Sequence, residues 1–311
     1  MIKRTLYFGN PVYLSMKLRQ LVIRTPAAGK TEPSVTENSG SEILKTVPIE
    51  DIGIVIMDNR QITMTHGLLQ ELLANNCAVI TCGINHMPEG LLLPLSGHTI
   101  QSERFRQQID ASLPLKKQLW QQTIQCKIAN QAAVLKYITG YDHGNMKSWM
   151  NSVRSGDTDN MEARAAAYYW KTVFPDNADF IRGRDEAAPN NLLNYGYAIV
   201  RAIIARSLVA SGLLPTLGIH HHNRYNAYCL ADDIMEPYRP FVDKLVYQIN
   251  SEADCTDLSV EIKSRLLSIA TMEVCISGHR SPLMVAASAT TSSLARCFSG
   301  ELRKIAYPEM V

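Results

Sequence analysis

The sequence predicts an α+β protein with a small β-rich N-terminal domain, residues 1–100, followed by a larger all-α domain, residues 101–311. Three observations carry this. At a typical ~150 residues per domain, 311 residues make about two domains. Near residue 102 the texture changes from short β-branched runs to long apolar stripes at helical spacing. The chain is 46% hydrophobic and 19% charged, enough apolar surface to fill cores, which excludes intrinsic disorder. Collagen, coiled-coil and disulfide-scaffold compositions are excluded as well.

Arg4 to Phe8, Val12 to Leu18 and Leu21 to Arg24 are short β-branched or aromatic runs, and Gly9-Asn10-Pro11 splits the first two. Pro26 to Ser41 is polar and reads as a solvated loop. Ile52 to Met57 fits a buried strand, and Ala78 to Thr81 another. Between them, Thr65 to Ala74 fits a short helix with Leu68, Leu69, Leu72 and Leu73 inward. Further on, Leu115, Leu119, Trp120, Ile124, Ile128 and Leu135 recur at helical spacing. Met161 to Thr172 follows Asp157-Thr158-Asp159, a good N-cap cluster. Asn191 to Ala210 is apolar at helical spacing and stops before Gly212, a C-cap residue. Leu230 to Ile249, Leu258 to Ala270 and Ala286 to Ile305 read as helices, the first bent or restarted at Pro237 and Pro240.

Net charge is only +2, so any nucleic-acid contact must use local patches. Seven cysteines without a CxxC pair speak against a disulfide framework or a zinc ribbon, and fit buried thiols in a reducing compartment. Apolar runs such as Ile52 to Met57 and Leu91 to Leu95 fall far short of the ~20 residues that span a bilayer. The N-terminus has a basic pair but no long apolar stretch. A soluble cytoplasmic protein is expected, with no membrane partner.

Chemistry concentrates between Gly212 and Asp243, where His220, His221 and His222 precede Asp232, Asp233 and Glu236. Asp233 and Glu236 are three apart and share a helix face. Apposed carboxylates on an apolar segment repel each other, and a divalent cation offsets that repulsion. An added imidazole makes a mixed oxygen–nitrogen set suited to Mn²⁺ and tolerant of Mg²⁺. The same residues also fit an acidic helix start behind a solvated histidine loop. In an extended loop the three histidines alternate sides, so spacing alone does not choose among them. Glu162, in the first turn of the alanine-rich helix, is a further candidate ligand or a simple dipole partner. Arginines, including Arg164, Arg182, Arg184, Arg224 and Arg239, interleave with Tyr168, Tyr169, Trp170, Tyr195, Tyr197 and Tyr225, which suits phosphate and base contact. Arg239 lies three residues after Glu236 and is placed to pair with it, leaving Arg224 the better phosphate candidate.

Several ordered motifs together resemble the CRISPR-associated endonuclease/integrase family of the spacer-acquisition complex, in its type II-like form. They are Val47-Pro48-Ile49-Glu50-Asp51-Ile52, His86-Met87-Pro88-Glu89-Gly90, Glu162 with Ala165-Ala166 and Tyr169-Trp170, and Asn191 to Tyr197. They continue through Gly212-Leu213-Leu214-Pro215 with Gly218-Ile219-His220-His221, Asp233-Ile234-Met235-Glu236-Pro237, and Arg239-Pro240 with Val242-Asp243. The resemblance implies a dimerising β-domain and a helical catalytic domain. It places catalytic metal ligands for Mg²⁺ or Mn²⁺ at Glu162, His221 and Glu236, with Asp233 as a supporting or alternate acid. It implies metal-dependent insertion of short DNA duplexes into a CRISPR array by 3′-hydroxyl transesterification, in antiviral adaptive immunity. It further implies DNA partners (protospacer duplex and repeat), a homodimer, a small ferredoxin-like partner completing a heterohexamer, and a type II effector nuclease as an associate. Arg224, Arg164 and Arg239 are the expected DNA contacts.

Other readings remain open on sequence. One is a metal-dependent nuclease that cuts branched or single-stranded DNA in repair without joining it. A second is a scaffold subunit. A third is an iron oxygenase using the histidine run, which predicts a β-barrel around it.

Overall fold

The computed structural model describes residues 3–25, 44–177, 180–183, 188–252 and 258–310. The expected loop at Pro26 to Ser41, Arg184 and Cys255 lie outside the described residues. The chain divides into two compact units, Met1–Gly97 and His98–Val311.

The first unit runs β1 (Arg4–Phe8), β2 (Tyr13–Lys17), β3 (Gln20–Arg24), β4 (Leu44–Pro48), β5 (Ile52–Met57), β6 (Thr63–Met64), α1 (His66–Ala74), β7 (Ala78–Cys82) and β8 (Pro88–Leu92). Its sheets have orders β1-β5-β7-β8 and β4-β3-β2-β6. β1, β5 and β7 are parallel, and β8 closes the edge antiparallel. β5 is buried on both faces, which is why Ile-Gly-Ile-Val-Ile shows no polar alternation. β2 stops at Lys17, one residue short of the expected end, because Leu18 and Arg19 take positive φ and form a two-residue hairpin turn. The Thr65 hydroxyl caps α1 by accepting from Leu68 N. Leu68 and Leu72 are fully buried with Leu14, Leu21, Ile52, Val55 and Val79. β8 escapes a propensity reading because it contains Pro88 and Gly90, residues tolerated on an edge strand.

The second unit holds α2 (Gln101–Ile109), α3 (Leu113–Thr139), α4 (Gly144–Ser152), α5 (Met161–Thr172), α6 (Asn190–Ala210), α7 (Cys229–Met235), α8 (Arg239–Glu252), α9 (Val260–Leu267) and α10 (Leu283–Phe298). It is not all helical: β9 (Glu273–Ile276), β10 (His279–Pro282) and β11 (Pro308–Glu309) form an antiparallel sheet in the order β10-β9-β11. Ser277 and Gly278, both at positive φ, turn its hairpin. These strands are too short to announce themselves, and β11 comes from a distant part of the chain. The expected helix from Ala286 to Ile305 instead starts at Leu283 and ends at Phe298, just before Gly300 at φ 82°.

α3 runs from a Ser112 cap to Gly140 in the left-handed conformation, and its expected stripe of Leu119, Trp120, Ile124, Ile128 and Leu135 is buried. α6 is long and apolar enough by composition to cross a bilayer, contrary to the sequence expectation, but 83% of its most apolar window is buried inside the protein. It is a core helix. Pro237 breaks the α7–α8 stretch into a 3-10 turn at Glu236–Tyr238, since proline removes a backbone donor and crowds the preceding turn. α3 packs against α5, this turn and α8, while α6 packs against α7 and α8. Among the described residues, no two cysteines are joined in a disulfide.

Candidate active site

Asp233, on α7, is completely buried and organises the histidine loop. Its Oδ2 accepts from the backbone N–H of Ile219 at 2.7 Å and His220 at 2.9 Å. Its Oδ1 accepts from His221 N at 3.2 Å and meets His221 Nδ1 at 2.5 Å. The loop therefore curls around a carboxylate and is not extended, so alternation of the histidines does not apply. His220 stacks on the buried Trp120, 4.1 Å between ring centroids and 1° between planes, and His221 stands edge-on to the same ring. His222 is exposed.

This arrangement fixes the chemistry of His221. A proton on Nδ1 donated to Asp233 leaves Nε2 with a free lone pair, the usual way a carboxylate orients a metal-binding imidazole. The Asp233 hydrogen bond, helped by the charges of Asp233, Glu236 and Glu162, raises the His221 pKa against the opposing effect of burial. Burial pushes His220 the other way, with the His221 charge adding to it.

Glu162 and Glu236 meet across Lys127, a residue not singled out from the sequence. Lys127 Nζ is 2.6 Å from Glu162 Oε1 and 2.6 Å from Glu236 Oε2. The Asp157 carboxylate caps α5 by accepting from Met161 N and Glu162 N, which fixes the helix start that presents Glu162. Ala165, one turn on, is fully buried and lets α3 approach. Arg239 Nε lies 2.9 Å from Glu236 Oε1 and its guanidinium sits over the Tyr197 ring. Burial opposes the ionisation of Glu236, but the Arg239 and Lys127 charges outweigh it and hold its pKa below the ordinary carboxylate value. Burial likewise opposes the Lys127 charge and is more than offset by Glu236 and Glu162.

In donor chemistry, though not in arrangement, these residues suit a hard divalent cation. Glu236 Oε2 is buried and, although Lys127 is close enough for an ion pair, makes no hydrogen bond of sound geometry. The donors are carboxylate oxygens and an imidazole nitrogen, the set Mg²⁺ and Mn²⁺ accept. Among the described residues, however, no three His, Cys, Asp or Glu side chains form a ready metal cage. Lys127 stands between two of the expected ligands, and His221 is turned onto Asp233.

Beside Glu236 opens a cleft of about 330 Å³ whose walls include Lys127, Trp170, Arg182, Tyr197, Arg239 and Asp243. Buried Asp243 accepts from Tyr169 at 2.9 Å and from Tyr197. Burial pushes its pKa up to about 6 against those hydrogen bonds and the Arg239 and Arg182 charges. Arg182 lies over Trp170 and Tyr197. Arg224 is exposed and stacks on the exposed Tyr225, while Arg164 is also exposed. Asp232 is taken by Arg201 at 2.6 Å and Asn226 at 2.7 Å. The histidine loop runs between α6 and α7, and among the described residues no β-barrel surrounds it, which speaks against the oxygenase reading.

Trp120, Ile124, Lys127 and Gln131 fall on one face of α3. A lysine on that inward face was the available signal for Lys127.

A profile of the CRISPR associated protein Cas1 family matches residues 8–271. The CRISPR-associated endonuclease Cas1 of Neisseria meningitidis serogroup C (strain 8013) is 37% identical over 276 residues, covering 88% of this chain and 84% of that protein. Among solved structures, a casposase bound to its integration product superposes with TM-score 0.76 at 17% identity, covering 98% of this chain and 92% of the other. A Cas6-RT-Cas1–Cas2 complex gives TM-score 0.72 at 17% identity, covering 97% of this chain and 36% of that one. These structures share the mixed fold, a β-rich region followed by a helical one, and the profile and sequence identity go further: the chain belongs to the Cas1 family of CRISPR-associated proteins.

Proposed function

We propose that the chain is a metal-dependent DNA endonuclease and integrase that inserts short DNA duplexes into a CRISPR array in the cytoplasm. The observation that carries this is the meeting of two carboxylates, Glu162 and Glu236, across one cation, in the same helical unit as a histidine oriented by buried Asp233. Glu162, His221 through Nε2, and Glu236 would hold Mg²⁺ or Mn²⁺, which supplies Lewis-acid polarisation of the phosphoryl oxygen. Relatives named as CRISPR-associated endonucleases and as a casposase on its integration product support the reading.

In each joining step a 3′-hydroxyl oxygen attacks a phosphodiester phosphorus, the bond to the leaving 3′-oxygen breaks, and one proton passes from the incoming to the leaving oxygen. One phosphodiester replaces another, so no nucleotide triphosphate is consumed. Asp233 keeps His221 in one tautomer and orientation, which suits it to hold the metal or to serve the leaving oxygen. Arg224 and Arg164, exposed at the surface, contact phosphates, while Arg239 neutralises Glu236. The β-rich unit mediates a homodimer. The assembly engages protospacer duplex, repeat DNA and a small ferredoxin-like partner in a heterohexamer, and associates with the type II effector nuclease. The presence of Cas2 in the Cas6-RT-Cas1–Cas2 complex, a structural neighbour, supports a partner of this kind.

A strand-transfer assay with a short duplex and a repeat-bearing plasmid in Mg²⁺ or Mn²⁺ tests the reading. The wild type should yield joined products. Glu162→Gln, His221→Ala and Glu236→Gln should each lose them by ~10²-fold or more while remaining folded. His220→Ala and His222→Ala should lose far less. Cleaved DNA with no joined product would favour the repair-nuclease alternative, and near wild-type joining by Glu236→Gln would overturn the site.

A further inference from the structure

Among the described side chains, Lys127 alone forms ion pairs with both candidate carboxylates. We infer that Lys127 is a positioning residue that holds Glu162 and Glu236 together as an internal counter-cation, and that it surrenders them to a divalent metal when DNA phosphate arrives. The inference rests on the reading of Glu162, His221 and Glu236 as metal ligands.

Geometry gives the first reason. An ammonium 2.6 Å from an oxygen of each carboxylate stands where an ion bridging those atoms would have to sit. Mg²⁺ takes oxygens at roughly 2.0–2.1 Å, so the two cations cannot share the position. Lysine sits at the end of a flexible four-carbon stem and Lys127 also lines the neighbouring cleft of about 330 Å³. The ammonium has somewhere to go.

Charge gives the second reason. Glu162 and Glu236 carry two negative charges, and Lys127 and Arg239 cancel them. A divalent ion entering this balanced and largely buried cluster leaves it strongly positive, which costs most where solvent screens least. Phosphodiesters restore the balance. The displaced Lys127 and the cleft-lining Arg182 and Arg239 then face those phosphates. Metal and DNA therefore bind with reciprocal positive coupling. Lysine also keeps the carboxylates paired and the site assembled before either arrives, since a buried charge stripped of its partner is strongly destabilising.

The test is Mn²⁺ binding to the full chain, read by the EPR signal of free Mn²⁺, with and without a short DNA duplex. Without DNA, Lys127→Gln should bind Mn²⁺ at least ~10-fold more tightly than wild type. Lys127→Arg, which keeps the charge, should stay close to wild type. Adding DNA should tighten Mn²⁺ binding by wild type at least ~10-fold, and by Lys127→Gln much less. Equal or weaker Mn²⁺ binding by Lys127→Gln, or a Lys127→Arg that matches a tightened Lys127→Gln, overturns the inference. Should Lys127→Gln not fold, the wild-type comparison decides: an Mn²⁺ affinity indifferent to DNA overturns it. Mn²⁺ binding that Glu236→Gln leaves unchanged overturns the metal-site assignment itself. Binding that depends on Glu236 but ignores Lys127 overturns only the role given to Lys127.

Discussion

A Cβ on Gly218 would come within 2.4 Å of the His221 carbonyl oxygen and 2.8 Å of Asp233 Oδ2. The backbone there is not left-handed, so the glycine is required for space. It lets the loop close tightly enough for three successive N–H groups to reach one carboxylate. Gly218→Ala should push the loop off Asp233. Overpacking of this kind costs roughly 1–3 kcal/mol, which a urea midpoint will report. It should also reduce strand transfer, because His221 loses its orienting partner. A fully stable and active variant would mean that the loop has room the geometry denies. Asp233 carries the converse lesson. The sequence marks it as a second acid three residues from Glu236, yet its side chain is spent entirely on the histidine loop.

Three helices are tied together by Asp243, which takes hydroxyl donors from Tyr169 on α5 and Tyr197 on α6 while sitting on α8. Gly196 permits the close approach of α6 and α8, since a Cβ there would meet Val242 Cγ1 at 2.5 Å. Burial lifts the Asp243 pKa from 3.8 to about 6, so between those values the folded chain holds the proton and the unfolded chain has lost it. Raising pH through that window therefore costs stability through this group, and above about pH 6 the cost is complete. Asp243→Asn cannot ionise. The stability of Asp243→Asn relative to wild type should rise from pH 4 to pH 6 and then level off, as read from urea midpoints at each pH. A difference that stays flat across the window would show that Asp243 titrates as an ordinary aspartate.

At the scale of the whole molecule, a net charge of +2 leaves no general field to hold a polyanion. On the proposed function, DNA affinity comes from a few placed cations, and many of the basic residues near the site are already committed. Lys127 and Arg239 serve carboxylates, and Arg201 serves Asp232. Arg224 stands exposed on Tyr225. Each phosphate contact on duplex DNA contributes ~0.9 to the slope of log affinity against log salt. Arg224→Ala should reduce that slope by about one and weaken binding evenly across DNA sequences, as measured by fluorescence anisotropy over a salt series. An unchanged slope would remove Arg224 from the interface.

Much of this protein is readable along the chain, because its information is local. Period and capping residues place α1, α3, α5 and α6 within a few residues, and Pro237 announces the break that becomes the 3-10 turn presenting Glu236. The ordered motifs identify the family and name Glu162, His221, Asp233 and Glu236. Pairing across the sequence is another matter. The short sheet of β9, β10 and β11 closes only when residues 308–309 return to it, so no window of sequence contains its reason for existing. Lys127 is one lysine on a mostly apolar face, and its role appears only when α5 and the 3-10 turn bring two carboxylates to it from residues 35 and 109 positions away. The sequence by itself determined most of the long helices and the first strands, the family and the candidate acids, since propensity, period and motif act over a few residues. Tertiary structure alone decided which acid faces which cation, because Coulombic pairing and burial depend on distance in space and take no account of distance along the chain.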